Sequence, residues 1–273
     1  MLEIPESNTM AKQLNETVRG KTIRLAVANK TPHKFAWYFG DPGAYNELLA
    51  GKQIGMSRAL GGMIEIAADD CRILISDGAA LRYYDDLKKV PEKHQLHIAF
   101  EDGTALVAVV QMYGGLSAYH EGENHNEYYI AARDKISPLS DEFDFDYFSS
   151  LRDQNTLKLS SKAFLATEQR IPGLGNGVLQ DILFTAGVHP KRKMADISEE
   201  DFRNLYNAVK TVLRKMTDCG GRDTEKDLFG RHGGYVTMFS KNSLLIPCPV
   251  CSGDKHKGNY LGGTIYFCEH CQK

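Results

Sequence analysis

Four cysteines near the C-terminal end are the residues whose spacing most directly suggests chemistry. Cys248 and Cys251 form one CxxC pair, and Cys268 and Cys271 form a second. Each CxxC turn can direct two thiolates at one tetrahedral metal ion, and four thiolates leave no open coordination position. The sequence therefore predicts one structural Zn²⁺ per chain, which stabilises this segment without taking part in a reaction.

A pair of disulfides, as in a small secreted domain, is the alternative for these cysteines. The first twenty residues contain five charged side chains and no apolar, positively flanked signal segment. No apolar run is long enough to span a bilayer. These patterns favour a reduced, cytoplasmic protein, associated with the nucleoid if prokaryotic. Cys71 and Cys219 show no ligand or nucleophile pattern and are interpreted as ordinary thiols.

A second candidate for chemistry is the glycine-rich segment from Ile171 to Gly177. Its three glycines stand at the entry of a predicted helix, where exposed backbone N–H groups and the helix N-terminus favour a bound anion. This pattern predicts a phosphate contact, although a tight turn between helices without a ligand has the same sequence. A second glycine-rich segment, from Gly220 to Tyr235, is predicted to be a mobile, partly basic loop or an ordinary linker.

The sequence predicts strands in the first half of the chain and helices in the second half, and these elements must position the candidate groups. Short β-rich runs separated by turn signals predict a β-sandwich or barrel. The runs are Thr22 to Val27, Met63 to Ala67, Arg72 to Ile75, Leu96 to Phe100 and Ala105 to Val110. An acidic, aromatic segment from Ser140 to Tyr147 marks a domain boundary, after which apolar residues recur with the spacing of a helix.

Three helices are predicted in the second half of the chain. They cover Leu157 to Thr167, Asn176 to Ala186, and Glu199 to Met216, with Ser198 as the N-cap of the last. Strands followed by helices and a cysteine hairpin indicate an α+β protein with at least two bodies.

The charge is distributed unevenly along the chain. Residues 1–150 contain 15 Lys and Arg against 22 Asp and Glu, whereas residues 151–273 contain 18 against 13. The basic half carries the cysteines and is compatible with a local grip on a phosphate backbone. The excess of Lys and Arg over Asp and Glu is far below that of an obvious nucleic-acid-binding protein. The charge is therefore compatible with DNA binding but does not by itself indicate it.

Five motifs, in this order, resemble the formamidopyrimidine-DNA glycosylase and endonuclease VIII family of base-excision repair enzymes. They are Met1 to Glu6, Lys93-His94, Lys162 to Asn176, Gly220-Gly221 with Asp227, and the four cysteines followed by Gln272. The resemblance covers nearly the whole chain. It implies an N-terminal β-sandwich domain at residues 1–135, a helix-two-turn-helix DNA-binding domain at 136–240, and a four-cysteine zinc-finger hairpin at 241–273. It also implies a monomer that binds damaged double-stranded DNA.

The mechanism implied by the resemblance extrudes a damaged nucleotide and attacks its C1′ with the amine of an N-terminal proline. Leu2 occupies the position of that proline. Removal of the initiator methionine generally requires a small second residue, so Met1 is expected to remain and to move its amine away from the site. Schiff-base chemistry and strand cleavage are therefore expected to be lost.

The catalytic glutamate of the family corresponds to Glu3, and a second family glutamate corresponds to Glu6, which is expected to support the site. Glu3 acting as general base for a water molecule would give a monofunctional glycosylase that leaves the abasic site uncut. The alternative is that Glu3 only caps a helix or forms a salt bridge.

The residues that the family uses to hold DNA are only partly retained. The resemblance assigns DNA contacts to Lys162, Asn176, Gly175, Tyr113, Arg82 and Arg222. The family's lesion-orienting lysine aligns with Leu60, its methionine wedge falls at about Asp77, and its finger arginine is replaced by Gly263. Tyr113 retains the aromatic wedge.

Three functions follow from this pattern. The first is a DNA glycosylase that hydrolyses the N-glycosidic bond of a flipped damaged base. The second is a catalytically inactive protein of the same fold that binds damaged or abasic DNA, and the third is a scaffold for protein contacts. The retained glutamates favour the enzyme, and the lost proline, lysine, wedge and arginine favour the DNA-binding protein.

Overall fold

The computed structural model describes residues 1–273, and its N-terminal half is built on a seven-stranded sheet. The strands are β1 (Ile23–Ala28), β2 (Ala36–Trp37), β3 (Ile54–Leu60), β4 (Met63–Ala68), β5 (Cys71–Tyr84), β6 (Leu96–Phe100) and β7 (Ala105–His120). They follow the order β1-β6-β7-β5-β4-β3, with β2 pairing in parallel to β7. The predicted strands are therefore present, and β5 and β7 are much longer than the sequence runs.

A bulge divides the two long strands and allows the sheet to fold into a sandwich. Asp77 pairs with Gly114, but Ala79 pairs with Val110, so residues 111–113 of β7 have no partner on β5. Asp77 adopts a left-handed φ of 60°, which is uncommon for a residue with a side chain. A Cβ on Gly78 would lie 2.6 Å from the Tyr113 carbonyl oxygen, so only glycine permits this close approach. The bulge directs Tyr113 away from the ladder.

A helix near the N-terminus, which the sequence analysis did not predict, joins the two halves of the protein. Helix α1 (Ile4–Thr17) begins after Glu3 with Pro5 in its first turn, where proline needs no hydrogen-bond partner. Met10 and Leu14, four residues apart, pack into the core of the sheet, whereas Ile4 packs into the helical core. The first residues of the chain are thereby fixed between the two bodies.

Of the remaining helices, the first two pack against the sheet, and the other four surround an aromatic core in the second half. They are α2 (Tyr45–Leu49), α3 (Glu127–Asp134), α4 (Phe145–Ser150), α5 (Ser161–Ala166), α6 (Asn176–Thr185) and α7 (Glu199–Asp218). The Ser198 hydroxyl accepts a hydrogen bond from the Asp201 N–H at 3.1 Å and caps α7, as predicted. Helix α5 is shorter than predicted because Ser160 caps it and starts it at residue 161.

A two-stranded hairpin completes the fold at the C-terminus. It consists of β8 (His256–Tyr260) and β9 (Gly263–Phe267), and the cysteine pairs lie on either side of it. Phe184 of α6 and Phe239 pack against the buried Cys248 and Cys268. This small cluster attaches the hairpin to the helical half. None of the helices combines the length and the apolar character that a membrane span requires.

Candidate functional site

The first residues of the chain lie in a narrow seam between the β3–β4 turn and the glycine-rich turn before α6. The Leu2 N–H donates to the Asp77 carbonyl at 2.8 Å, and the Ile4 N–H donates to the Gly173 carbonyl at 3.1 Å. A Cβ on Gly173, whose φ is 78°, would lie 2.1 Å from the Gly62 nitrogen. Backbones this close require glycine on both sides. The two turns thus fix the position of Glu3.

The Glu3 carboxylate lies against the N-terminus of α6. Its two oxygens accept hydrogen bonds from the Gly177 N–H at 2.9 Å and the Val178 N–H at 2.8 Å. Arg222 Nη1 lies 3.4 Å from the second oxygen. Only 3% of Glu3 is exposed. The side chain is therefore held rigidly by three donors from segments more than 170 residues away in the sequence.

The Glu6 carboxylate forms a bidentate pair with the same arginine. Arg222 Nε and Nη2 donate to the two oxygens of Glu6 at 3.0 and 2.8 Å, and the Arg222 backbone N–H adds a third bond at 3.1 Å. Arg222 is 2% exposed. Two buried carboxylates therefore occupy the Arg222 guanidinium, a placement that does not favour its predicted DNA contact, which stays a prediction.

Burial and charge act in opposite directions on these three groups. Burial raises the pKa of Glu3 above its ordinary value, although Arg222 and the two N–H groups counteract it. Burial alone would lower the pKa of Arg222, but the carboxylates of Glu3 and Glu6 raise it above its ordinary value. Glu3 is thus a buried carboxyl group poised to hold a proton more tightly than an exposed glutamate does.

The glycine-rich turn contacts an anion, but the anion belongs to the protein. A Cβ on Gly175 would lie 2.6 Å from Glu3 Oε1, and a Cβ on Gly177 would lie 1.6 Å from Arg222 Nη1. The N–H groups at the N-terminus of α6 therefore face Glu3, where the sequence predicted phosphate. The prediction recognised the anion-binding geometry of the turn correctly. It missed the carboxylate because Glu3 is distant in sequence.

Position 2 carries no free amine. Leu2 is 7% exposed, and its nitrogen is a peptide N–H that donates to Asp77. The terminal ammonium belongs to Met1 and pairs with the Glu225 carboxylate. With Met1 in place, the nitrogen at position 2 therefore contributes a backbone hydrogen bond, and the retention of Met1 stays a prediction. The glycine-rich loop that contains Glu225 is anchored at its base, since the Asp223 N–H donates to the Tyr235 carbonyl at 2.8 Å.

Three cavities follow one another along this seam. The first, called the amine cavity because Met1 with the terminal ammonium lines it, has a volume of about 250 Å³. Its lining residues include Met1, Leu2, Glu6, Arg82, Gln111 and Glu225. The Glu3 cavity, of about 140 Å³, is lined by residues that include Met1, Leu2, Glu3, Met63, Asp77 and Gln169. The aromatic cavity, of about 500 Å³, is lined by residues that include Trp37, Tyr113 and Tyr128. Glu3 and Asp77 are the two carboxylates of the central one.

Two residues predicted to bind DNA donate hydrogen bonds to the C-terminal hairpin. Lys162 Nζ donates to the Tyr260 carbonyl at 2.8 Å, and Asn176 Nδ2 donates to the Thr264 carbonyl at 2.7 Å. Lys162 is 4% exposed, and burial lowers its pKa. A Cβ on Gly263 would lie 3.1 Å from Lys162 Nζ. The lysine ammonium therefore lies beside the position from which the family's finger arginine would extend.

Sequence reasoning missed Gln180, which completes this attachment. Its Oε1 accepts from the Tyr266 N–H at 3.0 Å, and its Nε2 donates to the Asn176 carbonyl at 2.9 Å. Gln180 is four residues after Asn176 in a mostly apolar helix. A polar pair at this helical spacing was the signal that could have identified it.

The other two predicted DNA contacts are placed around the cavities. Arg82 lines the amine cavity, and burial lowers its pKa, while Asp227 partly offsets that effect. Tyr113 lies at the bulge of β7 and packs against Trp37 with ring centroids 5.7 Å apart. Both side chains are close to the seam that contains Glu3.

The four terminal cysteines converge on one point. Their sulfur atoms all lie within 4.8 Å of one another. The Cys248 and Cys271 sulfurs are 3.8 Å apart, and those of Cys251 and Cys268 are 3.5 Å apart. The edge of a tetrahedron with metal–sulfur bonds of about 2.3 Å is about 3.8 Å, so the donor set fits a thiolate-bound metal ion. Cys71 and Cys219 take no part in this group.

The buried Glu3–Arg222–Glu6 group allows a prediction about stability. Arg222→Met should lower the free energy of unfolding by about 3–5 kcal/mol, because it leaves two buried carboxylates without their counterion. Urea unfolding followed by circular dichroism measures this loss. Arg133→Met is the matched control, since the Arg133–Asp134 pair is exposed to solvent and contributes little to stability. Equal stability of the two variants would contradict the prediction.

Comparison with known proteins agrees with this architecture. Residues 135–227 match the formamidopyrimidine-DNA glycosylase H2TH domain. The chain is 30% identical to the formamidopyrimidine-DNA glycosylase of Legionella pneumophila strain Paris, over 100% of this chain and 98% of the relative. It is 26% identical to the enzyme of the same name from Bacillus subtilis strain 168, over 100% and 99%.

Solved structures show the same fold. The MutM (Fpg) protein of Thermus thermophilus superposes with a TM-score of 0.80 at 22% identity, covering 99% of this chain and 98% of that one. The Lactococcus lactis Fpg in complex with abasic-site DNA superposes with a TM-score of 0.81 at 23% identity, covering 99% of both chains. Sequence and fold together show that this chain belongs to the formamidopyrimidine-DNA glycosylase family.

Proposed function

We propose that this protein is a DNA glycosylase that hydrolyses the N-glycosidic bond of a damaged base extruded from double-stranded DNA. The observation that carries the proposal is the Glu3 carboxylate. It is buried, has a raised pKa and lines a cavity at the seam between the two halves of the protein. Perturbed, rigidly held carboxyl groups that border a cavity are typical of general acid–base sites.

The proposed reaction uses water as the nucleophile. Glu3 accepts a proton from a water molecule while the water oxygen forms a bond to C1′ of the deoxyribose. The C1′–N bond breaks, the base leaves with the bonding electrons, and it receives the proton that Glu3 took from water, which regenerates the carboxylate. The Glu3 cavity, of about 140 Å³, has room for such a water, whose share of liquid volume is about 30 Å³.

Strand cleavage is not expected from this site. It requires an amine that attacks C1′ and remains bound as a Schiff base. Leu2 provides only a peptide N–H, and the Met1 ammonium is paired with Glu225. We therefore propose a monofunctional enzyme that leaves the abasic site uncut.

We further propose how the chain divides its tasks. Residues 1–135 form the glycosylase-like β-sandwich, residues 136–240 the helix-two-turn-helix domain, and residues 241–273 a zinc finger. Cys248, Cys251, Cys268 and Cys271 would hold one Zn²⁺, which supplies structural stabilisation. The damaged base would enter the amine cavity beside Arg82, and the protein would act as a monomer.

One observation favours a second function, the binding of damaged or abasic DNA without catalysis. All three donors around Glu3 come from the protein, and its carboxylate is almost completely buried. In this second function the carboxylate fixes the N-terminal segment against α6 and takes no proton from water.

One assay separates the two functions. Purified protein is incubated with duplexes that carry an oxidised purine, an oxidised pyrimidine or an abasic site, and each sample is analysed with and without alkali. Strand breaks that appear only after alkali support the monofunctional enzyme. Tight binding with no base release supports the binding protein, and a covalent adduct trapped by borohydride contradicts the loss of amine chemistry.

The missing finger arginine gives a further prediction. Gly263→Arg should strengthen DNA binding about tenfold, because a guanidinium at the hairpin tip can form a charge-assisted bond to a phosphate. The flexible end of Lys162 is the closest atom to the new Cβ and can move aside. Binding titrations at several salt concentrations should show a steeper dependence, with a slope changed by about 0.9.

The control for this variant carries the same added charge elsewhere. Leu245 is 96% exposed and lies before the first cysteine pair, so Leu245→Arg adds one positive charge away from the hairpin tip. An equal gain for both variants would show that only net charge matters and that position 263 makes no specific contact.

A further inference from the structure

Aromatic rings enclose the largest of the three cavities. Its rings come from β2 and the residues after it, from the bulge of β7, and from α3. They are Trp37, Tyr38, Phe39, Tyr113, Tyr128 and Tyr129. At about 500 Å³ the cavity is large enough for a nucleoside-sized ligand. None of the predicted DNA contacts other than Tyr113 lies in it.

The rings at its mouth are exposed although the protein has a core that could bury them. Trp37 is 51% exposed and Tyr128 is 58% exposed. Trp37 packs on one side against Tyr113 at a centroid distance of 5.7 Å and a tilt of 40°. Exposed aromatic rings that border a cavity are typical of surfaces on which a flat ligand stacks.

The charge of the cavity decides which flat ligand fits. Its lining contains no Lys, Arg or His and a single carboxylate, Asp77, so it repels phosphate. Asp77 Oδ2 accepts from the Ser76 hydroxyl at 2.8 Å, and its other oxygen accepts no hydrogen bond. Asn126 uses only its carbonyl oxygen, to cap α3, and its amide N–H groups have no protein partner. A neutral ring with both donors and acceptors on its edge matches this lining.

The cavity continues the seam of the proposed reaction site. Met63, Asp77 and Gln169 line both the aromatic cavity and the Glu3 cavity. Asp77 has a left-handed φ of 60° at the bulge, and this conformation places its side chain at the junction of the two. Strained residues of this kind are concentrated at ligand sites. A DNA strand whose sugar lies at Glu3 therefore has the aromatic cavity within reach.

We propose that the aromatic cavity binds a second, unpaired nucleobase of the same DNA, stacked on Trp37 and hydrogen-bonded by Asp77 and Asn126. This proposal rests on the proposed function, in which the protein opens a duplex. Position 77 of this protein has a carboxylate and no apolar wedge. Stacking of the second base on Trp37 is what stabilises the opened DNA. Base–aromatic stacking tolerates any base, and the free carboxylate oxygen favours bases with an exocyclic amine.

Trp37 is the only tryptophan of the chain, so it reports on this cavity directly. The protein gives one indole N–H signal in a ¹H–¹⁵N correlation spectrum, which is recorded during titration with adenosine, cytidine or thymidine at millimolar concentrations. A saturable shift, larger for adenosine and cytidine than for thymidine, is expected. Titration with inorganic phosphate should leave the signal unchanged.

A second measurement uses DNA and does not depend on catalysis. Labelled duplexes contain an abasic analogue opposite a base, or are fully paired. Trp37→Ala should bind the duplex with the unpaired base about tenfold more weakly and the paired duplex as the wild type does. Trp37→Phe should recover most of the loss because it keeps a ring. Leu245→Ala is the control for loss of an exposed apolar side chain.

The outcomes separate this proposal from the proposed function. Nucleoside binding at Trp37 without DNA binding would contradict the proposed glycosylase function and support the base-binding role of the aromatic cavity. The opposite result is base release that Trp37→Ala does not change, with an indole signal that neither nucleosides nor unpaired DNA shift. This result would contradict the base-binding role of the aromatic cavity and leave the proposed glycosylase function standing. Equal weakening of binding by Trp37→Ala on both duplexes would also overturn the base-binding role, since the ring would then contribute to DNA binding whether or not a base is unpaired.

Discussion

Glu3→Gln is expected to reduce base release by at least about 100-fold while leaving DNA binding nearly unchanged. A positioned general base contributes roughly 10²- to 10⁴-fold to a rate, and glutamine cannot accept the proton from water. The substitution keeps the size of the side chain, which has 3% exposure and no space for a larger group. Single-turnover kinetics on a duplex with the preferred lesion measure the rate.

The matched control is another buried carboxylate. Asp181 is 1% exposed and accepts two backbone N–H groups, from Met238 at 2.9 Å and Phe239 at 2.8 Å, as Glu3 does. It lines none of the three cavities of the seam. Asp181→Asn should therefore retain base release if it folds. If both variants lose activity in parallel with their thermal stability, Glu3 is structural and the DNA-binding function is favoured.

The pH dependence follows from the raised pKa of Glu3. The base form is the carboxylate, so the rate of base release should fall as pH decreases through this pKa, at a pH above the ordinary glutamate range. The raised pKa of Glu3 also sets the direction in which folding stability changes with pH. A carboxyl group whose folded pKa is raised stabilises the fold at low pH, and this contribution is lost as pH rises from the unfolded value to the folded one. A Glu3→Gln variant should lack both effects.

Removal of the proposed Zn²⁺ is expected to unfold the C-terminal hairpin and abolish tight DNA binding. The hairpin contributes only a small cluster of buried side chains, which includes Cys248 and Cys268. A structural zinc supplies about 10–16 kcal/mol of apparent binding free energy at neutral pH, which such a cluster cannot replace. Metal analysis, followed by limited proteolysis with and without chelator, should show cleavage confined to residues 241–273.

Two cysteine variants test the same prediction without chelator. Cys268→Ser should release the metal and expose the hairpin to protease, because one of four ligands is lost. Cys219→Ser is the control, since Cys219 is exposed and lies outside the cluster. A hairpin that stays protease-resistant in metal-free protein would show that Lys162, Asn176 and Gln180 hold it without zinc.

The candidate site was predictable from the sequence only where its signals are local. The cap of α7 at Ser198 depends on residues three apart, and α6 begins at Asn176 as its glycine-rich entry indicates. Helix α1 was not predicted, because its apolar positions contact two different cores and form no single long stripe. Sequence alone also placed Arg222 on a DNA-binding surface, since nothing adjacent to it shows that Glu3 and Glu6 surround it.

The sequence by itself determined the family, the four-cysteine pattern and the absence of proline at position 2, because each depends on residue identity and spacing along the chain. Only the tertiary structure decided which anion the turn before α6 holds and which side chains surround the aromatic cavity. Those groups come from segments far apart in sequence. Close packing of backbones at Gly62 and Gly173 brings them together, and no local pattern records such contacts.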